Sequence, residues 1–341
     1  MPPEGAPALL RLVGLGRDFD VSRPWLNRAL ERAPRQLLRA VDEVTLEVRR
    51  GETFALVGES GCGKSTVARL IVGLHPPSRG RIEFEGVDLA AADAAARRAR
   101  RRMQMIFQDP YASLNPRWRV RDVVAEPIRV LGLASGAEAR RRVAALLRQV
   151  GLAPEDADKY PHEFSGGQRQ RISIARALSG KPDFLVCDEP TSALDVSVQA
   201  QILNLMTALQ RELGLTYLFI SHNLAVVSHV ADRVGVMYLG HLVEVADAEE
   251  LFARPRHPYT RMLLDAIPDL EMSGKPRTPV AGEVPNPLAP PAGCAFHPRC
   301  PHADARCARE PPRPLPDGAS LVACHAVQEG RLGAARGRSA A

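Results

Sequence analysis

Eight consecutive residues, Gly58-Glu59-Ser60-Gly61-Cys62-Gly63-Lys64-Ser65, fill every position of the spacing G-x-x-x-x-G-K-[ST]. Each residue type in that pattern has a task on phosphate. The glycines let backbone N–H groups converge on phosphate oxygens, and the helix expected to follow adds the positive end of its dipole. Lys64 reaches the β- and γ-phosphates and the Ser65 hydroxyl ligates magnesium, with Thr66 next to it counted in the same cradle. Cys62 stands at a variable position where the amide matters and the thiol has no assigned task. A magnesium–nucleotide site also needs a carboxylate, and the apolar run FLVC delivers Asp188 at its end for that purpose. Glu189, one residue on, then faces the γ-phosphate, where a carboxylate polarises the attacking water as general base. ATP and Mg2+ are therefore the expected ligands, and hydrolysis the expected reaction.

Further along, FSGGQRQR begins at Phe164 and is followed by LVCDEPTSALD and ISHN. With the phosphate loop, these runs resemble the nucleotide-binding subunit of an ATP-binding cassette (ABC) transporter. The resemblance spans Gly58 to His222, with the phosphate loop, glutamine loop, signature, DE pair, D-loop and switch histidine in order. It implies that Gln108 contacts magnesium and the lytic water, and that His222 hydrogen-bonds the γ-phosphate and helps Glu189 orient water. It also implies that Asp195 communicates across a dimer. Ser165, Gly166, Gly167 and Gln168 form the signature. They precede a helix and present a hydroxyl, bare amides and a positive dipole end, suited to a γ-phosphate. By resemblance, that phosphate belongs to ATP bound on the opposite subunit, so one chain carries half-sites. Phe19 is a candidate to stack on adenine, with a core packing role as the alternative.

The elements that must position these residues read as follows. ALLRLVGL and RAVDEVTLEV are strand-like, separated by an irregular insert from Val21 to Arg39, and give a β-rich N-terminal edge. Thr53 to Val57 is a short buried strand, and KSTVARLIVGL continues as a helix. The stretch from about 111 to 180 is mainly helical. In it Val143, Leu146, Leu147 and Val150 repeat at i, i+3, i+4 and i+7. Phe184 to Cys187 and Thr216 to Ser221 are buried strands flanking a helix, and VGVMYLGHLVEVA is a hairpin. Strands alternating with helices predict an α/β fold with a parallel sheet. With the resemblance, this is a P-loop NTPase (RecA-like) core with an N-terminal antiparallel β subdomain and an α-helical signature subdomain. A small Cys/Pro-rich C-terminal extension completes it. A boundary is expected near Ala266, giving a nucleotide-binding domain over 1–265 and an extension over 266–341.

The 341 residues suit one large domain and an appendage, and 45% hydrophobic with 25% charged residues fits a globular protein. No apolar run approaches the length of a membrane span, and the first residues lack the layout of a secretory signal, so a cytosolic chain is expected. Net charge is +6, carried largely by arginine. The runs Arg97 to Arg102 and Arg140 to Arg142 read as solvated helix faces, and nucleic acid is not an expected partner.

Several segments narrow the resemblance to the oligopeptide/dipeptide importers, specifically their second ATPase type. They are the insert before AVDEV, QDPYASLNPR, DEPTSALDVSVQAQIL, HPYT at His257 to Thr260, and the tail CAFHPRCPHADARC with a later ACH. It implies a paralogous ATPase partner, two membrane permeases and an external solute-binding protein, with the chain peripheral on the cytoplasmic face of the plasma membrane. The import direction rests on that resemblance alone. Cys294, Cys300, Cys307 and Cys324 are spaced C-x5-C-x6-C-x16-C, without the C-x2-C knuckles usual for structural zinc. Four thiolates suit an iron–sulfur cluster, with zinc or unligated thiols as alternatives and His297, His302 and His325 as further donors. The resemblance favours a [4Fe-4S] cluster. The rival functions are a soluble cassette ATPase on ribosomes or DNA and a regulator without turnover. The first would carry two cassettes or a long coiled coil in one chain, and the second would have lost Glu189 or the signature.

Overall fold

The computed structural model describes residues 7–24, 27–28, 30, 34–266 and 282–332. Among these described residues twelve strands form two sheets. The N-terminal sheet is antiparallel with order β2-β1-β4-β5, from β1 (Ala8–Asp20), β2 (Leu37–Arg49), β4 (Arg79–Phe84) and β5 (Val87–Asp88). β1 and β2 run longer than their apolar segments suggest, because their pairing continues through irregular register shifts as far as Asp20 and Leu37.

The second sheet is the scaffold for the loop. Five of its strands, β3 (Thr53–Val57), β6 (Met103–Ile106), β7 (Phe184–Asp188), β8 (Thr216–Ser221) and β9 (Arg233–Tyr238), are ordered β9-β3-β8-β7-β6 and all parallel, with β6 at the edge. β3, β7 and β8 are buried at every residue, as parallel strands covered on both faces must be. Register then aligns their ends: Val57 pairs with Ser221, Asp188 with Ile220, and Ile106 with Cys187. The segments after four strands therefore emerge side by side at one carboxyl edge, where open α/β sheets bind ligands.

Eleven α-helices follow this frame among the described residues. α1 (Lys64–Ile71) leaves the loop and α2 (Ala94–Arg101) precedes β6. α3 (Pro110–Ser113), α4 (Val120–Val130), α5 (Gly136–Gln149) and α6 (Gly166–Ser179) make the helical subdomain. Its own core includes Val124, Ile128, Val143, Leu147 and Ile172, with Leu146 only packed at its margin. α7 (Val196–Leu213) and α8 (Leu224–Val230) flank β8, and α9 (Ala248–Ala253) and α10 (Pro258–Asp265) close the main part. The arginine runs lie on helix surfaces, where Arg141 and Arg142 pair with Glu138, and Arg102 with Glu85 and Asp183.

The boundary expected near Ala266 falls at the edge of the described residues, and 267–281 lie outside them. The stretch 282–332 does not stand apart from the sheet. β12 (Ser320–Val322) pairs antiparallel with β10 (His241–Asp247), β11 (Leu315–Asp317) pairs with β12, and a short α11 (His325–Gln328) follows. Phe296 enters the core formed by Tyr238, Tyr259 and Leu251. No described helix is long and apolar enough to cross a membrane.

Candidate functional site

The loop between β3 and α1 keeps its shape because two glycines occupy places no side chain can share. At Gly58 (φ +150°) an added Cβ would lie 2.2 Å from the Met237 carbonyl oxygen, and at Gly63 (φ +107°) 2.2 Å from that of Ala40. β9 and β2 thus press directly on the loop. The β9–β10 turn adds a tie, since Gly240 N–H donates to the Cys62 carbonyl at 2.9 Å. Cys62 itself is buried, which pushes its thiol pKa up and keeps it unreactive.

Lys64, 5% exposed, donates from Nζ to the carbonyls of Gly58 (2.8 Å) and Glu59 (2.9 Å). It forms no salt bridge among the described residues, and the Asp188 carboxylate acts on it only from beyond ion-pair contact. A phosphate suits a buried cation whose direct partners are neutral carbonyls. Ser65 Oγ donates to Asp188 Oδ1 at 2.8 Å across the gap between α1 and β7. Burial raises the Asp188 pKa, and the Ser65 hydrogen bond only partly opposes it. A hydroxyl beside a buried carboxylate is an oxygen donor set of the kind magnesium takes.

Glu189 stands at φ +47°, in the left-handed region a glutamate rarely adopts. Its N–H donates to the Ile220 carbonyl at 3.0 Å, which binds the turn after β7 to β8. The carboxylate is held from both sides. Gln108 Nε2 donates to Oε2 at 2.8 Å, and His222 Nδ1 lies 3.0 Å from Oε1. Three strand ends therefore meet on one carboxylate.

These groups share a cleft of about 950 Å3. Phe19, Ser60, Gly61, Gly63, Lys64, Ser65, Thr66, Gln108, Glu189 and His222 all line it. Phe19 is half-buried at the rim, with the Arg17 guanidinium 4.7 Å from its ring and His75 edge-on at 5.4 Å. Pro287, Pro290 and Pro291 of the C-terminal stretch form part of the wall, which composition gave no means to foresee.

Ser165, Gly166, Gly167, Gln168 and Asp195 are not among the cleft's lining residues. Ser165 caps α6 by accepting from the Gln168 N–H at 3.3 Å, while Gln168 Oε1 accepts the Ser165 N–H at 3.0 Å. Asp195 caps α7, accepting from Val198 N–H at 3.0 Å. The two helix starts touch, because a Cβ on Gly167 would meet Val198 Cγ1 at 2.5 Å. Ser165, Gln168, Asp195 and Val196 are exposed, Val196 at 82%.

The tail cysteines gather without forming a closed ligand set. Burial first, then the nearby thiols of Cys324, Cys307 and Cys300, push the Cys294 thiol up to about 12, and burial likewise raises Cys300 and Cys324. Cys294 N–H donates to the Cys307 carbonyl at 2.8 Å. Among the described residues, however, no group of three or more His, Cys, Asp or Glu is placed to hold a metal ion. His297 Nδ1 and His325 Nε2 each engage a backbone carbonyl, of Cys294 and Glu310, at 2.9 Å. His302 instead accepts, through its own carbonyl, from Arg331 at 2.9 Å. The iron–sulfur cluster expected from spacing and resemblance is thus not supported by this geometry. Cys307 and Cys324 are buried, and Cys294 and Cys300 half-buried.

Two residues with a bearing on the loop escaped the sequence reading. Tyr259 Oη accepts the Glu59 N–H at 2.9 Å, and Arg299 pairs with the Glu59 carboxylate at 2.7 Å. Tyr259 lies in the noticed HPYT segment and Arg299 between two noticed cysteines. Their shared target was hidden by sequence distance.

Comparison with known proteins gives a consistent result. A family model described as ABC transporter matches residues 41–192, and one described as oligopeptide/dipeptide transporter, C-terminal region, matches residues 243–307. The chain is 50% identical over 317 residues to the di/tripeptide transport ATP-binding protein DppF of Pseudomonas aeruginosa, covering 92% of this chain and 96% of that protein. It is 46% identical over 323 residues to the dipeptide transport ATP-binding protein DppF of Escherichia coli, covering 94% and 95%. Among solved structures, an ATP-binding cassette in a dimeric post-hydrolysis state with ADP and Pi is similar. Its TM-score is 0.60 at 26% identity, over 70% of this chain and 98% of that one.

Proposed function

The chain belongs to the ATP-binding subunits of ABC transporters, in the group that carries the oligopeptide/dipeptide C-terminal region, and from that premise we propose how its site works as a transport motor. It is an ATPase whose hydrolysis drives uptake of peptides. The observation that carries this reading is the meeting of Gln108, Glu189 and His222 beside Lys64 and Ser65 in one cleft, with Asp188 behind them on the Ser65 hydroxyl.

The loop amides and Lys64 hold the phosphates of the substrate ATP, and Phe19 offers a ring to the base. Ser65, Asp188 and Gln108 are the oxygen donors for magnesium, which when bound screens phosphate charge. Glu189 takes a proton from the attacking water, with Gln108 and His222 fixing where its two oxygens point. Neither the signature nor Asp195 reaches the cleft of its own chain, and the exposed Val196 beside them suits burial in a partner. A paralogous ATPase subunit fills that place in this reading, each signature facing the other chain's γ-phosphate.

A second surface suits a permease. Val72, Leu74, Phe107 and Val130, together with Glu126 and Arg176, line a groove of about 390 Å3 that Phe107 joins to the glutamine-loop segment, with Leu74 and Val130 exposed at 54% and 76%. Closure of the cassette pair would be felt there first. We place the chain at the cytoplasmic face of the plasma membrane, beneath two permeases served by an external solute-binding protein. The nucleotide-binding domain is assigned to 1–265 and the extension to 266–341. For the tail we propose, on the family resemblance and not on the geometry, that Cys294, Cys300, Cys307 and Cys324 take up an iron–sulfur cluster, although among the described residues no group is placed to hold a metal ion. Anaerobic purification with iron and sulfide analysis tests it, and absence of both ends it.

The motor assignment is tested with Glu189→Gln in the assembled transporter. Nucleotide binding persists while turnover falls by about a hundredfold or more, the usual worth of a general base. Unchanged hydrolysis would refute Glu189 as the base.

A further inference from the structure

The motor reading leaves two sequence features without a task, the HPYT segment and the arginine in FHPRC. The structure brings both to Glu59 of the phosphate loop. Arg299 closes a two-point ion pair on its carboxylate, Nη1 to Oε2 at 2.7 Å and Nη2 to Oε1 at 3.1 Å. The Arg299 side chain is 2% exposed against 23% for Glu59, and its Nη1 also lies 3.4 Å from the Tyr238 hydroxyl. The Tyr259 hydroxyl, fully buried, takes the Glu59 N–H at 2.9 Å. Tyr238, Tyr259 and Phe296 back this arrangement as one aromatic group, with ring centroids 4.7 to 5.4 Å apart. One loop residue is thus fixed through backbone and side chain by segments 200 and 240 positions away.

Charge supplies the reason. A carboxylate in a loop that collects phosphates repels the ligand, and a buried bidentate guanidinium neutralises it and fixes its direction. The Glu59 carbonyl is also one of the two oxygens on which Lys64 Nζ rests, at 2.9 Å. The orientation of the Glu59 peptide therefore sets where the loop's cation waits.

We propose that Arg299 and Tyr259 are positioning residues for nucleotide binding, acting through Glu59 on the loop and on Lys64. The C-terminal stretch is then part of the nucleotide site's support. This inference rests on the nucleotide-site reading above.

The test uses the full chain with a fluorescent ATP analogue and magnesium, and the assembled transporter for ATPase kinetics. R299Q weakens analogue binding about tenfold, equivalent to about 1.4 kcal/mol. It raises KM for ATP while kcat stays within about twofold, the signature of lost ground-state binding. R299K keeps the charge without the fork and falls between R299Q and the parent chain. In an E59Q background the R299Q penalty largely disappears, because no carboxylate remains to be neutralised. Y259F, which removes one oxygen, weakens binding a few-fold. Parent-like binding by R299Q, or an equal penalty with and without E59Q, overturns the proposal. If R299Q does not fold, parent-like binding by both R299K and Y259F overturns it. K64A separates the two levels. If it binds the analogue undiminished, the nucleotide site itself fails, whereas if it loses binding while R299Q and Y259F keep it, only this inference fails.

Discussion

Glu189 reaches its place only because its backbone accepts a left-handed φ of +47°, a conformation costing roughly 1–2 kcal/mol for an L-residue. The bond from its N–H to Ile220 and the grip of Gln108 and His222 hold it there. Lys64 has the opposite character, a cation resting on neutral carbonyls until an anion arrives. Lys64→Ala should therefore weaken nucleotide binding by about a hundredfold, since a charge-assisted contact to phosphate is worth roughly 1.5–3 kcal/mol. Titration of the chain with a fluorescent ATP analogue measures this. Undiminished affinity would remove Lys64 from the site. The residue-scale chemistry was largely legible from sequence, because the loop, the carboxylates and the histidine each end a strand whose apolar run is visible, whereas Gln108 follows β6, which no such run marks, and rested on the resemblance. The ion pair between Glu59 and Arg299 was not, since a contact across 240 positions leaves no periodic trace.

Among the elements, α6 and α7 start against each other, and each start depends on a capping side chain. Ser165→Ala removes the α6 cap, which costs about 1 kcal/mol of stability, readable as a lowered Tm. In the assembled transporter it should also lower ATP turnover, while the chain alone keeps its nucleotide affinity. Affinity lost in the isolated chain would contradict a signature that serves the partner's nucleotide. α10 has a different cap. His257 is 1% exposed, its Nδ1 accepts the Tyr259 N–H at 3.0 Å, and burial lowers its pKa from 6.5 to about 3. The unfolded chain therefore holds more protons than the folded one across that window, so stability falls as pH drops below 6.5 and levels off near 3. At pH 5 the loss is roughly 2 kcal/mol, and His257→Gln should flatten that acid limb in denaturant titrations. An unchanged slope would mean that His257 is not the group responsible. Strand β8 matches its apolar run to the residue, whereas β5, two residues long, and β6, four residues beside an arginine run, are set by pairing partners rather than by pattern. β12 is of the same kind, a short run given its place by β10 and β11.

For the whole molecule, one chain supplies a cleft and, elsewhere on its surface, an exposed signature. Mixing it with the partner ATPase, ATP and the Glu189→Gln change should yield a stable dimer by light scattering, and nucleotide removal should dissolve it. A species that stays monomeric would overturn the shared-site reading. The C-terminal stretch has a further effect through the sheet it joins. Without it, the edge of β10 turned away from β9 would lack its strand partner at Glu244 and Val245, open to any other extended chain. β12 takes that position, and the new margin is β11, three residues long and interrupted by Pro316, which has no N–H to offer. The stretch that braces the phosphate loop thereby also makes the sheet a poor template for growth, which matters for a subunit that must exist, at least briefly, before it meets its partners.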